Sequence, residues 1–195
     1  MLPTREEAER LLKEAEGCNP GPWGNHSRTA AHCAEKIAIA CGDMDPEKAY
    51  ICGLLHDIGR KFGKRHMGHV SDGYSYMLSL GYDEVARICL THSFKNKRID
   101  DYVGKIDTTE KELKLIVDTL KKLEMDDYDL LIQLCDAIAG AEGVMNIEDR
   151  MNDVKRRYGH YSQTKWDSNI RLKKQFEDRM GQDIYTVVEK ETYRP

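Results

Sequence analysis

The chain has 195 residues, with 30 Lys and Arg against 34 Asp and Glu, and a formal net charge of -4 at pH 7. That length suits one domain with a core that needs no covalent staples, and the mild acidity excludes a global attraction to nucleic acid or to an anionic membrane. Cys18, Cys33, Cys41, Cys52, Cys89 and Cys135 form no Cys-x-x-Cys pair and lie mostly among Ala, Ile and Leu, so they read as small apolar residues in a reducing cytoplasm.

In chain order, the punctuation predicts helices and little else. Acidic residues in "MLPTREEAERLL" argue against a signal peptide, and no apolar run approaches the roughly 20 residues that span a bilayer. Thr4 and Glu7 offer a capping box for a first helix through about Ala15, followed by a Gly/Pro/Asn loop. "HSRTAAHCAEKIAIAC" closes at Gly42, and "DPEKAYICGLLHD" opens on Asp45 with Pro46 at its first position. Segments from about His66 to Leu80 and from Tyr82 to His92 are separated by Gly81, and "KNKRIDDYVGKID" reads as a loop. Thr109 and Glu112 form a second capping box, and Asp126 or Asp127 starts "YDLLIQLCDAIAG". Helices near Ile147 to Tyr158 and Trp166 to Met180 follow, with "DIYTVV" the one strand-like piece. The expected fold is all-α, a helical bundle in one domain over 1–195, with a motif-bearing core at about 23–140 and a helical extension at about 141–195.

Helical faces sort the histidines. His26 shares a stripe with Ala30, Cys33 and Ile37, His69 with Gly73 and Met77, and His92 with Val85, Ile88 and Cys89, whereas His32 falls round the helix. Asp136 shares an apolar face with Ile132 and Ala139, where an unpaired carboxylate costs several kcal/mol. His56 and Asp57 end the apolar run "AYICGLL" and raise the same question of what cation compensates them. A lone inward histidine is most often a satisfied core residue, but several of them with two inward carboxylates match the donor set of Zn, Mn or Fe.

These residues carry a resemblance. "HSRTAAHCAEKIA", then "AYICGLLHDIGR", then "LLIQLCDAIAG" resemble the HD-domain superfamily of metal-dependent phosphohydrolases, whose signature is His, His-Asp and a distant Asp on a helical core. The resemblance implies metal ligands at His26, His56, Asp57 and Asp136, and the dinuclear members, including symmetrical diadenosine tetraphosphate hydrolases, imply His69 and His92 for a second ion with Asp57 bridging. His66 is a spare candidate one turn before His69. The cyclic-dinucleotide phosphodiesterases of the superfamily carry a doubled histidine where this chain has His92 and Ser93.

The implied activity is hydrolysis of a phosphoester or phosphoanhydride, of a nucleotide or dinucleotide, by a hydroxide generated at one or two divalent ions (Fe, Mn, Co, Ni or Zn). Beside Asp57, the expected substrate contacts are Arg60 and Lys64, with Lys95 and Arg28 behind them; Tyr74, Tyr76 and Phe94 are candidates to stack a base. Trp166, Ile170, Leu172, Phe176 and Met180 share a helical arc that reads as a core or homodimer face, and one basic turn in "IRLKKQF" is no nucleic-acid signal in an acidic chain. Two other readings stay open: a non-catalytic module that senses a nucleotide or scaffolds a partner, and a metal-dependent hydrolase or oxygenase of an uncharged small molecule.

Overall fold

The structure, a computed structural model, describes residues 1–188; the last part of the extension, 189–195, lies outside the described residues. Ten α-helices account for nearly all of its regular structure: α1 (Arg5–Cys18), α2 (Trp23–Cys41), α3 (Pro46–Leu55), α4 (Gly68–Ser79), α5 (Asp83–Thr91), α6 (Glu110–Lys122), α7 (Asp127–Ile138), α8 (Ile147–Tyr158), α9 (Gln163–Met180) and α10 (Ile184–Val188). The fold is therefore all-α, and no described helix is long and apolar enough to cross a membrane.

Local chemistry explains the helix boundaries. The Thr4 hydroxyl accepts from Glu7 N at 3.2 Å to start α1, and the Asp45 carboxylate accepts from Glu47 N at 2.9 Å to start α3 on Pro46. Both α6 and α7 open on reciprocal capping boxes, Thr109 with Glu112 and Asp126 with Asp129. Gly42 ends α2 at φ 78°, a left-handed position that costs glycine nothing.

Two details depart from the sequence reading. "DIYTVV" is helical, not extended: the Asp183 carboxylate accepts from Tyr185 N at 2.9 Å, and Ile184 and Val188, one turn apart, are both buried in the core. Capping and four-residue burial override the β-propensity of the segment. A small antiparallel hairpin, β1 (Ala139–Gly140) with β2 (Gly143–Val144), also follows α7, pairing Ala139 with Val144.

The apolar residues form three packed clusters. The largest joins α2, α3 and α7 to α8, α9 and α10, and includes Leu172 and Phe176, so the apolar arc of α9 is a core face. A second joins α1 to α2, α3 and α5, and a third packs α6 over α4 and α5. Four of the six cysteines are buried within this core and all six are free thiols.

Helices α2 and α3 pack closely because Gly53 faces the Ala31 backbone: a Cβ there would sit 2.7 Å from Ala31 Cα. Gly59 does the same after α3. Its missing side chain lets the 3₁₀ turn Ile58–Phe62 lie against α4, where a Cβ would meet the His69 carbonyl at 2.0 Å. The close contact sets His69 beside the end of α3.

Candidate metal centre

Five helix segments bring four imidazoles and two carboxylates to one point. His26 comes from the first turns of α2, His56 and Asp57 from the end of α3, His69 from the start of α4, His92 from the end of α5, and Asp136 from α7. His26, His56, Asp57, His69 and His92 are all buried, and Asp136 is partly open to a cavity.

The ring nitrogens are oriented by the main chain. Nδ1 of His26 lies 3.1 Å from the Ala139 carbonyl, that of His56 2.7 Å from Gly53 O, that of His92 2.8 Å from Cys89 O, and that of His69 contacts His66 O. A carbonyl can only accept, so each Nδ1 carries the proton and donates. Every Nε2 then faces inward. His26 Nε2 lies 3.1 Å and His56 Nε2 3.9 Å from Asp136 Oδ1, while Asp57 Oδ1 lies 3.1 Å from His69 Nε2 and 3.5 Å from His92 Nε2.

Two sets of three side chains place one donor atom each close enough to share an ion: His26, His56 and Asp57, and Asp57, His69 and His92. Asp136 flanks the first set, and Asp57 belongs to both. The donors fit a divalent metal for a further reason. His56 Nε2 and Asp57 Oδ1 are fully buried with no hydrogen-bond partner, and orphaned polar atoms at the focus of a converging donor set call for a cation. Imidazole nitrogen with carboxylate oxygen suits Zn, Fe, Mn, Co or Ni.

The electrostatics agree with that chemistry. Burial pushes the His56 imidazole below its ordinary value, and burial with the neighbouring His56 pushes His92 down to about 3, so both rings stay neutral and able to ligate. Burial would raise the Asp57 carboxyl, but the Arg60 guanidinium and the His69 and His56 rings hold it well below the carboxylate range. Asp136 behaves alike, with His26 as its main partner against burial. Both carboxylates are therefore anionic near neutral pH.

The sequence-expected cations divide. Arg60 reaches the site, its Nε 2.5 Å from Asp57 Oδ2, and lines the cavity. Lys95 lines it too, its ammonium donating to the Gln133 carbonyl one turn before Asp136. Arg28 and Lys64 are not brought there. The Arg28 guanidinium forks onto Glu16 of α1 at 2.7 and 2.6 Å, and Lys64 is exposed just past Gly63, whose φ of 120° turns the chain outward. His66 borders the cavity through its edge contact with Tyr158, whereas His32 is exposed away from it. Phe94 is wholly buried in the cluster under α6, and Tyr74 and Tyr76 pack against the core outside the cavity.

The cavity measures about 450 Å³, within the range of small-molecule sites. Its far wall was not visible in the sequence. Helices α8 and α9 and the loop between them contribute Arg150, Tyr158, Tyr161 and Lys165, and Trp23 and Tyr102 add aromatic rings from the near side. The only sequence signal for this wall is the amphipathic pattern of α8 and α9, which marks a buried face without saying that part of it lines a cavity.

The model of the HD domain family matches residues 23–141, more than half of the chain. No curated protein and no solved structure matches it.

Proposed function

Because the chain belongs to the HD domain family, which lies within a superfamily of metal-dependent phosphohydrolases, we propose that it hydrolyses a phosphoester or phosphoanhydride of a nucleotide or dinucleotide. His26, His56 and Asp136 would hold one divalent ion, His69 and His92 a second, with Asp57 shared between them. The observation that carries this reading is the convergence of four inward Nε2 atoms on two carboxylates, with His56 Nε2 and Asp57 Oδ1 left without partners. Ions held there supply Lewis acidity to a phosphoryl oxygen and lower the pKa of coordinated water towards neutrality.

The chain's own groups do the rest. The four main-chain carbonyls lock the imidazoles in one tautomer, so the donors are set before a ligand arrives. Arg60 anchors Oδ2 of Asp57 and leaves Oδ1 towards His69 and His92. Arg60 and Lys95 place positive charge on the cavity wall where a phosphate enters, and Trp23, Tyr102 and Tyr158 offer ring faces and edges for a nucleoside. That cationic lining favours a phosphorylated substrate over an uncharged one.

The test is elemental analysis of protein purified without chelator or oxygen, for the wild type and Asp57→Ala, with phosphate release measured on a nucleotide panel. Two ions per chain and phosphate release in the wild type, with both lost in the variant, is the expected result. Nucleotide bound in the presence of metal but never turned over would instead make the domain a sensor, and no bound ion after metal is supplied would refute the reading altogether.

A further inference from the structure

The cavity lining contains two lysines with no acidic partner among the described residues. Lys95, on the loop after α5, and Lys165, in the first turns of α9, both line the cavity that opens onto Asp57 and Asp136. Neither makes an ion pair with a carboxylate among the described residues. Lys95 donates to the Gln133 carbonyl, and Lys165 lies 3.5 Å from the carbonyl of Ser93, the residue after His92. Both ammonium groups therefore sit within a residue or one helical turn, about 5 Å along a helix axis, of a residue expected to ligate metal.

The neighbouring arginines differ. Arg150 and Arg157 also border the cavity, but both reach Asp153, at 3.6 and 2.9 Å. Their charge is answered within α8. Lys165 is instead backed by the Tyr161 ring at 5.8 Å, and Tyr161 is itself fixed by Asn169, whose amide donates to its hydroxyl at 2.7 Å. The α9 lysine is thus held on a rigid polar-aromatic wall and still lacks an anion.

Two half-buried ammonium groups that repel each other are costly unless an anion sits between or beside them. Their shared field supports this: burial pushes Lys95 down to about 7, with Lys165 adding to the fall and Asp136 opposing it, and burial also pushes Lys165 down. Asp136 is a single carboxylate, and its Oδ1 already lies 3.1 Å from His26 Nε2. The deficit is of negative charge, and a ligand can supply it.

We propose that Lys165, with Lys95, forms a subsite for a phosphate group other than the one cleaved, so that the preferred substrates carry two or more linked phosphates. This rests on the phosphohydrolase reading above and assigns a specificity role to α9, which lies wholly outside the family-matched residues 23–141. One phosphate at the metal ligands satisfies Arg60; the next along an anhydride chain reaches the two lysines. A simple monophosphate ester leaves Lys165 unanswered.

Steady-state kinetics on metal-loaded full-length protein test it, with adenosine mono-, di- and triphosphate and base-free tripolyphosphate as substrates. The wild type should prefer the di-, tri- and tripolyphosphates over the monophosphate. Lys165→Met should raise their KM about tenfold, the loss of one charge-assisted contact, while kcat and the monophosphate KM change less than about twofold. Lys165→Arg should restore the preference, which a merely structural role for the side chain would not require. Met matches the length of the lysine stem and removes a half-buried charge, so this variant should fold, and circular dichroism checks it. An unchanged preference in folded Lys165→Met, or a wild type that favours the monophosphate, overturns the subsite and leaves the hydrolase intact. Release of phosphate from no phosphorylated compound overturns the hydrolase reading and the subsite with it.

Discussion

A single methyl group at Gly59 should separate the two halves of the candidate metal centre. In Gly59→Ala the new Cβ would lie 2.0 Å from the His69 carbonyl oxygen and 2.5 Å from Gly73 N, both main-chain atoms of α4 that cannot rotate away. The first contact is about 1.4 Å inside the 3.4 Å at which ordinary van der Waals contact begins, so the 3₁₀ turn and α4 must part by on the order of 1 Å. Overpacking of this kind costs about 1–3 kcal/mol, and in a chain of this size each kcal/mol lowers Tm by about 2–4 °C. His69 travels with α4 and Asp57 with the turn, so the 3.1 Å between His69 Nε2 and Asp57 Oδ1 widens. Metal sites tolerate only about 0.2 Å of such displacement. Scanning calorimetry of the metal-free protein, paired with metal titration, reads both effects: Tm should fall by about 2–12 °C, and the ion held by His69 and His92 should be lost before the one held by His26, His56 and Asp136. Wild-type Tm together with wild-type metal stoichiometry would refute the argument that this close approach builds the site.

Two further outcomes follow from the charges around the site. The Arg65 guanidinium, bonded to Glu112, together with the Thr109 amide holds the Glu112 carboxyl down to about 2 against an ordinary 4.5. A lowered carboxyl stabilises the fold above its unfolded value and loses that contribution as pH falls, so Glu112→Gln should melt earlier than the wild type at pH 7, with the gap closing between pH 4.5 and 2; a gap constant with pH would count against it. For substrate binding, Lys64→Met should leave KM unchanged because Lys64 is exposed outside the cavity, whereas Arg60→Met should raise it, and equal effects from the two would contradict the placement of Arg60 on the cavity wall.

The residues readable from sequence are those whose neighbours along the chain determine their position. Asp45 before Pro46, and the Thr109 and Glu112 box, mark helix starts because the capping partner lies within three residues. His26, His69, His92 and Asp136 could be assigned inward because each shares a helical stripe with apolar residues, and in the structure they meet. What local pattern does not encode is pairing across the chain. Arg28 sits two residues after His26 but is captured by Glu16 from α1, and Phe94, two residues after His92, points into the cluster under α6. Lys165 lies more than 70 residues from Ser93, the residue it approaches, so nothing in its own helix announces the cavity.

The four carbonyls behind the imidazoles also bear on any attempt to transplant this centre. They come from Gly53, His66, Cys89 and Ala139, that is, from helix interiors, a loop and the short hairpin, and no side-chain substitution can remove them. The site should therefore tolerate drift in the side chains that surround it and be sensitive to any insertion or deletion that shifts these four backbone positions. Copying the six donor residues onto another helical scaffold would reproduce the composition of the centre without its aim; a graft would have to carry the helix ends and the hairpin with it.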